Sequence, residues 1–145
     1  MSNLFLFGIM FCGGMAVAVQ PSINARLAEK TGIVESACIS FAVGTLALLI
    51  VSLAAGRGSL RGVLGASWWE LTGGFLGALF VTLMILVVPR LGTAAAMAAT
   101  ISAQLIAGIA LDHFGVLGIY QAPLDFKRFL GVALLLTGSG LILRR

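Results

Sequence analysis

Charge is scarce in this chain. Five acidic and nine basic residues make up 10% of its 145 positions, against about 25% in an ordinary soluble domain. Apolar side chains supply 60%. So little polar surface cannot cover a core in water, which excludes a soluble globular fold. Histidine occurs once and cysteine twice. That leaves no Ser/His/Asp set for nucleophilic catalysis and no metal-ligand spacing. Gly-Lys-Ser/Thr does not occur, so no phosphate-binding loop drives a reaction. The basic residues form no stripe, and the net charge of +4 is no nucleic-acid signature. The reading is a non-enzyme without cofactor or metal.

What the chain has is long apolar runs. In lipid every backbone N–H and C=O needs an internal partner, so only helices or a closed barrel can span. Barrel strands would alternate apolar and polar residues, and these runs do not. The sequence predicts an all-α membrane protein with five transmembrane helices in a single domain, at about 4–27, 34–55, 69–88, 92–111 and 126–143. Each approaches or exceeds the roughly 20 residues that a span needs. Met1-Ser2-Asn3 brings no basic segment, and no small-residue cleavage site follows, so the first run is expected to stay as a helix. The intervening stretches Arg26–Glu35, Gly56–Ser67, Pro89–Leu91 and Asp112–Arg128 read as loops, with Pro89-Arg90-Leu91 as a tight turn. Cys12 and Cys38 fall inside apolar runs and read as buried free thiols, with a disulfide or metal pair as the alternative.

Five spans put the termini on opposite sides. The N-terminal side (side A) then carries Arg57, Arg61, Lys127 and Arg128. The other (side B) carries Arg26, Lys30, Arg90, Arg144 and Arg145. Orientation normally follows a Lys/Arg excess on the cytoplasmic side, and here there is almost none. Dual insertion and an antiparallel homodimer are the favoured reading, with a weakly biased single topology as the other. Two inverted copies would build the pseudo-two-fold architecture used in alternating access.

Polar groups inside spans are costly and mark function or interhelical contacts. Gln20 and Asn24 share one face of the first helix, and Pro21 between them removes a helical hydrogen bond near Val17, a candidate helix break. They read either as a midplane solute site or as interhelical glue. Thr100, Ser102 and Gln104 form a second set in the fourth helix. Depths counted from the expected helix ends match Gln20 and Asn24 of one copy with Thr100 and Gln104 of an inverted one. Trp68 and Trp69 read as interfacial anchors or an aromatic wall for a cation. Asp112-His113 reads as a proton-coupling or gating pair, or as an ordinary helix end. Glu29 and Glu35 read as solvated loop residues. Gly73 and Gly77, with Gly74 beside them, form a small-xxx-small packing pattern.

Several of these segments together resemble the YdcZ-like inner-membrane family of the drug/metabolite transporter superfamily. They are Gln20-Pro21-Ser22-Ile23-Asn24-Ala25-Arg26-Leu27, Trp68-Trp69 entering the Gly73, Gly74, Gly77 helix, Pro89-Arg90-Leu91-Gly92, and Gln104 followed by Leu111-Asp112-His113-Phe114-Gly115. Gly131 in the closing helix belongs to the same pattern, which covers nearly the whole chain. One departure is Ala103, where the family carries Gly before the fourth-helix Gln. The resemblance implies a multi-pass protein of the bacterial inner membrane with a transporter-like fold. It also implies relatives that occur as single chains, pairs and fused two-repeat chains. It differs from the small multidrug exporters, because no carboxylate lies in the middle of a span. The expected function is gradient-driven secondary transport of a small polar or amphiphilic solute by two inverted subunits. The alternative is a non-transporting subunit that packs against and regulates a partner membrane protein.

Overall fold

A computed structural model describes residues 2–118 and 121–143. Among them are five α-helices and three short 3-10 turns. The helices are α1 (Asn3–Thr31), α2 (Ile33–Ala55), α3 (Thr72–Leu91), α4 (Thr93–Phe114) and α5 (Phe126–Leu143). All five, α3 together with the turn before it, are long and apolar enough to cross a membrane. Arg144 and Arg145, two of the side B charges, lie outside the described residues.

The helices run past several expected ends, for physical reasons. Arg26 to Glu35 is not a loop. Apart from Gly32 it is helical, because charged residues leave the hydrocarbon without leaving the helix, and Ala, Glu and Lys are good helix formers. Gly32 alone joins α1 to α2. Its N–H caps α1 by donating to the Ala28 carbonyl at 2.9 Å, and its own carbonyl accepts from Ser36 N–H at 3.0 Å to open α2. The backbone there has φ 103 and ψ 160, a region essentially reserved for glycine. Pro89-Arg90-Leu91 is likewise not a turn but the last turn of α3. The chain breaks at Gly92, with φ 83 and ψ 155, and α4 begins at once. Asp112 and His113 also stay helical, and Gly115 in the left-handed conformation ends α4. Pro21 lies within α1, which continues through it to Thr31. Proline therefore costs a bond in α1 and α3 without ending either one.

The chain divides into two compact units, Met1–Arg90 and Leu91–Arg145. In the first, α1 and α2 pack as a hairpin, and Ala37, Val81 and Ile85 form a small core with Ala28, Phe41 and Phe80 against it. In the second, α4 packs on α5. Most large apolar side chains face outward, including Leu4, Phe5, Phe7, Met10 and Phe11 along the first half of α1. Such faces are at home in lipid. Cys12 and Cys38 are free, but exposed rather than buried: each sits on a helix face that the chain's own packing does not cover.

Candidate functional site

In the first unit a polar seam runs between α1 and α2. Asn24 is only 4% exposed, and its Nδ2 has no hydrogen-bond partner. Its backbone carbonyl accepts a 2.8 Å bond from Ser36 Oγ, which is fully buried. One turn along each helix, away from Gly32, come Gln20 on α1 and Ser40 on α2. Gln20 is exposed and lines a groove of about 190 Å³ with Ser40, Phe41, Gly44, Thr45 and Leu48. Pro21 is buried on the same helix and has no N–H to give the Val17 carbonyl. Amides from α1 and hydroxyls from α2 are thus brought together.

In the second unit the fourth-helix residues separate. Ser102 is buried and donates within reach of the Ala98 carbonyl at 2.8 Å. Its hydroxyl also lies 2.8 Å from that of buried Ser139 on α5. This pair joins α4 to α5, so Ser102 faces α5 rather than open space. Thr100 is half-buried and Gln104 is exposed. Gln20 lies about 16 Å from the Thr31 end of α1, and Gln104 about 16 Å from the Thr93 end of α4, at 1.5 Å per residue. Asn24 is buried in its own unit.

Asp112 and His113 fasten the segment between α4 and α5. Asp112 pairs with Arg128 at 3.3 Å, both partly exposed, and its carbonyl accepts from Ala122 N–H at 2.9 Å. His113 Nδ1 accepts from Leu124 N–H at 3.0 Å, and the ring meets Phe114 edge-on with centroids 5.0 Å apart. Both side chains are engaged in holding the connection. Glu29 pairs with Arg26 at 3.0 Å on the exposed surface, where such a pair contributes little.

Trp68 and Trp69 begin a 3-10 turn before α3 and stand 80% and 47% exposed. The turn is pinned by Glu70, whose carboxylate accepts from Ser67 N–H at 2.6 Å. Of the three glycines, Gly77 alone meets a neighbour within the chain: a Cβ there would sit 3.3 Å from Phe41 Cζ. Gly73 and Gly74 have open space around them. Gly77→Leu is therefore expected to destabilise the first unit by about 1–3 kcal/mol through overpacking. Gly73→Leu should stay within about 0.5 kcal/mol, both read from unfolding of the protein in mixed micelles.

Sequence reasoning missed Ser36, Ser40 and Thr45. Their signal was present, since Ser36 and Ser40 repeat on α2 the four-residue spacing of Gln20 and Asn24 on α1. Isolated hydroxyls inside a long apolar run do not stand out as amides beside a proline do.

Comparison with known proteins agrees with this architecture. The family described as "Putative inner membrane exporter, YdcZ" matches residues 5–141. The chain is similar to "Inner membrane protein YdcZ" of Escherichia coli (strain K12), with 28% identity over 150 aligned residues, covering 100% of this chain and 99% of that protein. No solved structure matches. That family is one of transporters and not of enzymes. With five membrane-crossing helices and a match across nearly its whole length, the chain belongs to the YdcZ family of the drug/metabolite transporter superfamily and is an inner-membrane protein.

Proposed function

We propose that this protein is a secondary transporter that exports a small polar or amphiphilic solute by alternating access between two inverted copies. The observation that carries the reading is the seam between α1 and α2: an unpaired buried amide at Asn24, one turn from an exposed amide at Gln20, in a helix interrupted chemically by Pro21. Polar groups inside a span, beside a backbone carbonyl left without its donor, are the usual material of a midplane site. The family's description as an exporter gives the direction. The near balance of Lys and Arg, four against five, supports insertion both ways. A polar path on one five-helix chain has little to enclose it, and a second copy supplies the other wall. In that assembly the exposed amides Gln20 and Gln104 are the candidates to line the interface.

The sidedness of the C-terminus tests the inverted pair. A single Cys after Arg145, with Cys12 and Cys38 replaced, is labelled in intact cells with a membrane-impermeant thiol reagent. Labelling of about half the chains, completed only on permeabilisation, is the expected result for near-equal charge on the two sides. Labelling that is complete or absent means one orientation and removes the inverted homodimer. Proteoliposomes that move no member of a broad solute library under any gradient would remove the transporter reading itself.

A further inference from the structure

We infer that the α1–α2 groove is itself the solute site, and that it selects neutral molecules that carry an amide or alcohol. This rests on the transporter reading above and names the site and substrate class within it. The groove's polar lining is Gln20, Ser40 and Thr45, and no charged residue lines it. Phe41 and Leu48 supply apolar wall, and Gly44 leaves the space between them open. An ion entering a span without a counter-charge is strongly disfavoured, so this lining rejects both anions and cations. A neutral solute with its own hydrogen-bonding head pays far less.

The head group is specified by the groove's polar lining: the Gln20 amide and the Ser40 and Thr45 hydroxyls each offer both a donor and an acceptor. Toward Gly32, beyond the residues that line the groove, Asn24 is buried and its Nδ2 donor has no acceptor, a state that costs free energy. On the same face of α1, the Val17 carbonyl has no N–H from Pro21. A solute that offers both an acceptor oxygen and a donor matches that lining. A primary amide does this, and an alcohol does so with one hydroxyl. The groove of about 190 Å³ accommodates a head of the size of one substituted ring.

Four probes of one shape test the assignment: para-fluorobenzamide, para-fluorobenzylamine, para-fluorobenzoate and para-fluorotoluene. Binding to the full-length protein in lipid nanodiscs is read from fluorine line broadening. The benzamide is expected to bind in preference to the amine, the carboxylate and the hydrocarbon. Ser40→Ala and Thr45→Val should each weaken it about fivefold, the worth of one neutral hydrogen bond. Gly44→Leu, placed where a side chain meets nothing, should fill the groove and abolish binding while the protein stays folded. Preference for either charged probe, or benzamide binding unchanged in all three variants, overturns the assignment. The transport reading fails separately. Binding lost in the variants with no solute crossing proteoliposomes keeps the site and counts against transport. Solute crossing undiminished in the variants keeps transport and overturns the site.

Discussion

Gly32→Ala is expected to destabilise the protein by about 1–3 kcal/mol, through the backbone alone. Gly32 is the whole connection between α1 and α2, and it holds φ 103 with ψ 160. An L side chain strains that conformation, and its Cβ would also run into Glu35 Oε2. The carboxylate is the far end of a flexible side chain and can move. The backbone cannot move without unravelling a cap on one side or the other, because Gly32 donates to Ala28 and accepts from Ser36. The double change Gly32→Ala with Glu35→Ala should therefore recover little. Gly92→Ala, at φ 83 and ψ 155, should carry a loss of the same size. Gly108→Ala, in the body of α4 with nothing nearby, is the control: it should be neutral or gain up to about 1 kcal/mol in helix propensity. Unfolding free energies from detergent titration separate these outcomes. A Gly32→Ala protein as stable as the parent would mean that the hairpin does not depend on that conformation.

The same two glycines show why the ends of the helices were hard to read while the helices themselves were plain. Twenty or so apolar residues in lipid leave the backbone no alternative to a helix, so five runs give five spans. Where a helix stops is a different question. The polar residues after Leu27 and Leu111, and Pro89, mark where the hydrocarbon or a hydrogen bond ends, and α1, α3 and α4 run on past those points to a glycine. The backbone conformation that halts them is a property of Gly32, Gly92 and Gly115, and in a chain with nineteen glycines nothing local distinguishes these three.

The candidate site was half legible for a related reason. Gln20 and Asn24 stood out because amides are rare in spans, and the structure sets Ser40 across the groove from Gln20 and Ser36 on the Asn24 backbone carbonyl, neighbours that the sequence did not announce. Ser102 was read with Thr100 and Gln104 as a path, although its hydroxyl is committed to Ser139 and Ala98. A hydroxyl can hydrogen-bond within its own helix or across to another, and its sequence position does not say which. Asp112 and His113 carried the same ambiguity. In the structure Asp112 meets Arg128, sixteen positions along the chain, and His113 accepts from the backbone N–H of Leu124, partners that the local sequence does not show.

Asn24→Leu is expected to lower transport at least about tenfold while leaving the protein as stable as before, or more stable by about 1 kcal/mol. The two effects have one origin. Leu has the heavy-atom count and Cγ branching of Asn and leaves no donor to be satisfied, so the buried seam loses a group that is unpaired. The proposed solute path loses a polar group one turn from Gln20. Proteins commonly hold such unfavourable groups where activity needs them, and removing them trades activity for stability. If Asn24 instead served as glue between helices, the same substitution would do the opposite. Stability would fall, the helices or subunits would separate, and flux would fall only in proportion to the folded protein lost. Parallel measurement of detergent-induced unfolding, oligomeric state and flux per folded protein in proteoliposomes decides between them. Ser36→Ala is the companion: it removes a fully buried donor that already has its acceptor in the Asn24 carbonyl, and so should cost about 1 kcal/mol of stability. A seam in which Ser36 stabilises and Asn24 does not is one where the first residue positions the backbone and the second waits for a ligand.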